Sequence, residues 1–83
     1  MNYKVYYRNK LDLPHFTMPT FNINHYVQVA EVEAENEEEV FHKMNIDVPY
    51  LLNIRSMCSG DFVIDEFGNG KFCLSIGWVD FKP

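Results

Sequence analysis

Between Phe62 and Ile76 the chain reads Phe-Val-Ile-Asp-Glu-Phe-Gly-Asn-Gly-Lys-Phe-Cys-Leu-Ser-Ile, two strand-like runs around Gly68-Asn69-Gly70. Glycine and asparagine reach the positive φ angles that tight hairpin turns demand, so this segment commits the chain to an antiparallel β-hairpin. Register follows from the side-chain period of two, because a slip of a single residue moves every side chain to the other face. A two-residue Asn69-Gly70 turn sets Ile64 opposite Ser75 and Glu66 opposite Cys73, mixing polar with apolar groups. A three-residue loop sets Ile64 opposite Leu74, Phe62 opposite Ile76 and Glu66 opposite Phe72. The second register is expected, with Gly70 as the left-handed residue and Phe62, Ile64, Phe72, Leu74 and Ile76 on the core face. Asp61, Val63, Asp65, Cys73, Ser75 and Gly77 then share the other face. Trp78 continues the inward series past a kink or bulge at Gly77, and Val79 to Phe81 ends the strand or forms a short further one.

Upstream, Tyr3, Val5 and Tyr7 alternate with Lys4, Tyr6 and Arg8, the pattern of a half-buried strand from Tyr3 to Arg8. From Leu11 to Asn24 two prolines, Pro14 and Pro19, forbid a continuous helix or central strand. The apolar residues Leu11, Leu13, Phe16, Met18, Phe21 and Ile23 predict a loop packed on the core. Tyr26, Val27, Val29 and Val32 carry a second strand ending at Glu33. The period then changes: Asn36 is an N-cap with Glu39 three residues on, and Glu37, Glu38 and Glu39 fill the first helical turn. A helix is expected from Glu37 to Met44, packing Val40, Phe41 and Met44 on the sheet, with Asn45 as a left-handed stop.

Charge restricts the partners. Of twelve acidic residues, Glu31, Glu33, Glu35, Glu37, Glu38 and Glu39 stand in one short run, and removing those six from the net of −5 leaves +1. The acidic run is read as helix-start chemistry with a solvated face. Lysines and arginines are scattered singly, which disfavours nucleic acid without excluding it. No apolar run approaches the ~18 residues of a membrane span, and the first residues lack a secretory apolar stretch, so a cytoplasmic protein without a membrane partner is expected. Cys58 and Cys73 have no Cys-x-x-Cys spacing and are expected to be reduced.

The residues that could carry chemistry each have an ordinary reading beside them. His15, His25 and His42 show no ligand spacing, and Glu38 with His42 is the sole helical pair; no metal and no cofactor is expected. Cys58 lies in Arg55-Ser56-Met57-Cys58-Ser59-Gly60-Asp61 beside no general base, and reads as a turn residue before a strand. Gly60 suits a positive φ, and Asp61 can bond its own backbone. Tyr6, Lys4 and Arg8 would suit stacking on single-stranded bases if Tyr6 were exposed, although a thin domain needs its rings inside.

The segment Arg55-Ser56-Met57-Cys58-Ser59-Gly60-Asp61-Phe62-Val63-Ile64, followed by Phe72 to Trp78 with Ser75-Ile76-Gly77-Trp78, resembles the Ser-Met-Ser-x-Gly-Asp-hydrophobic tail of YodL-like accessory proteins of bacterial plasmids, phages and integrative elements. Cys58 stands where that pattern has Ser. The resemblance covers about a third of the chain; it implies a small bacterial accessory context and transfers no catalytic residue.

Together these readings predict one α+β domain over residues 1–83, a small, mostly antiparallel sheet of four to five strands with a short helix on one face. Its strands run Tyr3 to Arg8, Tyr26 to Glu33, Phe62 to Glu66 and Lys71 to Phe81. The expected function is a non-enzymatic interaction module for an unknown protein partner, monomeric or weakly homodimeric. Tyr6, Arg8, His15, Arg55, Ser59, Gly60 and Asp61 are the candidate surface. The alternatives are a single-stranded nucleic-acid binder and a small enzyme using Cys58 or His42.

Overall fold

Strand β1 (Asn2–Arg8) buries every second residue, Tyr3, Val5 and Tyr7, as its sequence alternation requires. The computed structural model describes residues 1–8, 23–46, 51–75 and 77–83. After a short 3₁₀ turn at Ile23–His25 come β2 (Tyr26–Glu33), α1 (Glu37–Ile46), β3 (Phe62–Asp65), β4 (Gly70–Leu74) and β5 (Gly77–Phe81). The strands form one five-stranded antiparallel sheet in the order β2-β1-β3-β4-β5. The expected α+β architecture is therefore present. Most of the predicted loop from Leu11 to Asn24, His15 within it, and Ile76 lie outside the described residues.

The apolar positions of β2 do not alternate strictly because the strand carries a bulge. Val5 pairs with Ala30 but Tyr6 with Gln28, so Val29 is the extra residue. The bulge resets the parity, placing Val32, Ala30 and Val27 opposite Tyr3, Val5 and Tyr7 while Tyr26 lies opposite Arg8.

At the start of α1 the Asn36 Oδ1 accepts the Glu39 N–H at 2.9 Å, as the cap predicts. Val40 and Met44 are fully buried, whereas Phe41 is exposed and leaves the expected stripe. Asn45 is helical and donates its side-chain amide to the Phe41 carbonyl at 2.7 Å, so it does not stop the helix. Nor is the acidic start merely solvated: Glu37 pairs with Lys71, and Glu38 Oε1 accepts the Trp78 indole N–H at 3.0 Å.

The β3–β4 hairpin has a three-residue loop, but two positions earlier than predicted. Phe62 faces Phe72 and Ile64 faces Gly70, and the loop is Glu66-Phe67-Gly68 with Gly68 at φ 86°. Two local causes fix it. The Asp65 carboxylate accepts the amides of Phe67 and Asn69 at 2.9 and 3.0 Å. Gly70, which was expected to turn, lies flat under Phe81, where a Cβ would come within 2.5 Å of the ring. The displacement is even in register, so Phe62 and Phe72 still share a face and Val63 and Cys73 the other. The helix, however, covers the face opposite to the expected one. Val63, Cys73 and Trp78 pack with Tyr3, Val5, Tyr7, Val32, Val40, Met44 and Met57.

Phe62 and Phe72 belong to the reverse face, in an aromatic cluster. Tyr6 stacks on Phe62 at 4.7 Å between ring centres, while Tyr26, Phe72 and Phe81 meet Phe62 edge-on at 4.8, 5.3 and 5.1 Å. The final strand also differs from one continuous run from Lys71 to Phe81. The chain reverses after Leu74, Gly77 takes φ 131°, and β5 returns along β4 with Trp78 opposite Cys73. That reversal brings Trp78 to the helix side instead of continuing the Phe62 series.

Candidate functional site

The segment before β3 folds around one carboxylate. The turn from Cys58 to Asp61 is closed by the Asp61 N–H on the Cys58 carbonyl at 3.1 Å, with Gly60 at φ 95°. Gly60 and Asp61 together face Cys73: the Gly60 N–H donates to the Cys73 carbonyl at 2.7 Å, and the Cys73 N–H to the Asp61 carbonyl at 2.9 Å. This is a bulge that needs a left-handed first residue. It turns the Asp61 side chain inward, where it is fully buried.

A buried carboxylate is stable only when its oxygens are met by donors. Asp61 Oδ1 accepts the Arg8 amide at 3.1 Å and Arg55 Nη2 at 2.8 Å. Its Oδ2 accepts Arg55 Nη1 at 2.6 Å and the Cys58 amide at 2.9 Å. The Arg55 guanidinium lies 4.1 Å from the centre of the Tyr7 ring, and its Nη1 also reaches the Ser56 carbonyl at 3.0 Å and Cys58 Sγ at 3.2 Å. Arg8 Nη2 donates to the Ser59 carbonyl at 3.0 Å, and the Tyr26 hydroxyl to the Gly60 carbonyl at 3.0 Å. The hydrogen bonds to Asp61 raise the Arg55 pKa further. Burial and the neighbouring Asp61 charge push the Cys58 thiol up, against the opposing pull of Arg55. Such a thiol stays protonated at neutral pH, the reverse of an activated nucleophile.

Arg8, Arg55, Ser59, Gly60 and Asp61 are thus brought together, but as a strut that ties the 55–60 segment to β1 and β3. Ser59 remains exposed and Arg55 partly so. Tyr6 stands on the aromatic face, half-buried with one ring face occupied by Phe62. His25 and His42 are exposed. Among the described residues no three His, Cys, Asp or Glu side chains are grouped to hold a metal ion. Among the described residues, open depressions flank the β3–β4 hairpin, one of about 530 Å³ beside Lys71, Asp80 and Lys82 and another of about 370 Å³ beside Lys4, Glu31 and Glu66. Their charges are mixed, and Lys71 is already held by Glu37 and Asp80.

Sequence reasoning missed a different group. Ile46, Leu51 and Leu52 are exposed at 54, 75 and 50%, although their residue types read as core. Lys43 was passed over as well; its Nζ donates to the Glu33 carbonyl at 2.8 Å and pairs with Glu39 at 3.4 Å. No family model matches the chain, and neither a curated protein nor a solved structure matches it. No helix among the described residues is long and apolar enough to cross a membrane.

Proposed function

We propose that this chain is a small, non-enzymatic interaction module that binds a partner protein through aliphatic side chains left outside its cores. The observation that carries this is the trio Ile46, Leu51 and Leu52, three large side chains within seven positions of sequence with half or more of their surface in water. The pairing of the cations favours a protein over a nucleic acid. The side chains of Arg8, Arg55, Lys43 and Lys71 each have a partner inside the chain, which sets their head groups against backbone carbonyls or carboxylates instead of phosphates. The Ser-Met-x-x-Gly-Asp segment supports a bacterial mobile-element accessory of the YodL-like kind, and the free thiols of Cys58 and Cys73 support a reducing cytoplasm.

The test compares the immobilised chain with a Leu51→Ser/Leu52→Ser variant in a bacterial lysate. Both positions are exposed, so the double variant keeps its fold within about 0.5 kcal/mol per site. A discrete protein retained by the parent and lost by the variant is expected; identical retained sets overturn the reading.

A further inference from the structure

The outer edge of β2 is built around two glutamates. Met1 and Ala34 exchange both backbone hydrogen bonds, each 2.9 Å, and the register continues as Asn2 with Glu33, Tyr3 with Val32, Lys4 with Glu31 and Val5 with Ala30. Bonded and non-bonded pairs alternate along an antiparallel ladder. Tyr3–Val32 and Val5–Ala30 therefore bond inward, and the N–H and C=O groups of Glu31 and Glu33 point away from β1. Two contacts agree with this phase: the Asn2 N–H turns from β2 to Glu66 Oε1 at 3.0 Å, and the Glu33 carbonyl accepts Lys43 Nζ. Among the described residues β2 has a strand on one side only.

Open edges invite an added strand unless something blocks them. Here the Val29 bulge and the Lys43 ammonium are the blocks, and between them the outward groups of Glu31 and the Glu33 N–H meet no strand among the described residues. Antiparallel self-pairing through both residues sets Glu opposite Glu in the registers that do not place both of them against Val29 and the residues before it, where the bulge interrupts the edge, and this like-charge arrangement disfavours a second copy. Exposed Glu31, Glu33 and Glu35 select the opposite sign.

We propose that Glu31 to Glu33 is a docking edge for an extended basic segment of a partner protein. The segment adds as a sixth strand with Lys or Arg opposite the two glutamates and displaces Lys43 from the Glu33 carbonyl. This rests on the interaction-module reading and names the partner's chemistry.

The probe is a capped peptide of alternating Lys and Val, beside a twin of equal charge whose lysine amides are N-methylated. Titration is followed by the amide resonances of the full chain. Shifts centred on Glu31 and Glu33 are expected. N-methylation should weaken binding about tenfold, the value of one or two backbone hydrogen bonds. Lys43→Met should tighten it several-fold, and Glu31→Lys/Glu33→Lys should abolish it. Equal binding of the two peptides, shifts elsewhere, no binding, or self-association of the Lys43→Met variant each overturns the docking edge. Should a lysate partner still depend on Leu51 and Leu52, only this inference falls and the interaction reading stands.

Discussion

Asp61 shows how much one buried charge can organise. Its two oxygens take four donors from three parts of the chain, and removing the carboxylate strands the Arg55 guanidinium over Tyr7. Breaking a fully buried pair costs about 3–5 kcal/mol, and the part of Arg55 already open to water brings this case to the lower end of that range. Asp61→Ala is therefore expected to destabilise the fold by that order, read as a lowered urea midpoint with an unchanged slope. The sequence showed Gly60 as a turn residue and Asp61 as a local hydrogen-bonding residue, because both roles are local. The pairing with Arg55 was not legible: an Asp six residues from an Arg pairs with it only if the chain between them folds back.

The helix and the hairpin contrast in what their sequences specify. Capping is decided within a few residues, and the Asn36 side chain does bond the Glu39 amide as the spacing required. Asn36→Ala should cost about 1 kcal/mol, measured by thermal unfolding, with loss confined to helical signal at the earliest stage of melting. In the hairpin, the side-chain period correctly sorted Phe62 and Phe72 from Val63 and Cys73, and the three-residue loop length was also correct. The loop position was not, because Gly68-Asn69-Gly70 offers several turn residues in a row. Asp65 captures two amides and Phe81 needs the bare face of Gly70, and the second of these contacts comes from β5, outside the hairpin whose register was being weighed. Gly77 likewise marked an irregularity correctly but gave no hint that the chain would double back there.

Across the molecule, burial on both sides of the sheet makes ionisation a threat to stability. Burial, helped by Asp61, pushes the Cys73 thiol up to about 11 from its ordinary 9.0, and burial pushes Tyr26 up to about 12 despite the opposing Arg8 charge. Between pH 9 and 11 the unfolded chain releases the Cys73 proton while the folded chain keeps it. Stability from this group is therefore complete below pH 9 and is lost as pH rises through 11, by at most about 1.4 kcal/mol per unit. Melting temperatures across that window should fall for the parent and fall less steeply for Cys73→Ala, whose stability at pH 7 is lower from the start. Strand alternation, the capped helix and the α+β class were all written in contacts between near neighbours, where backbone geometry leaves few choices. Which face the helix would cover was not, because Val63 with Cys73 and Phe62 with Phe72 are both apolar pairs. Burying one in preference to the other depends on the β2 bulge, the turn at Ser75 and the Asp61 strut acting together, and those meet only once the distant segments have packed.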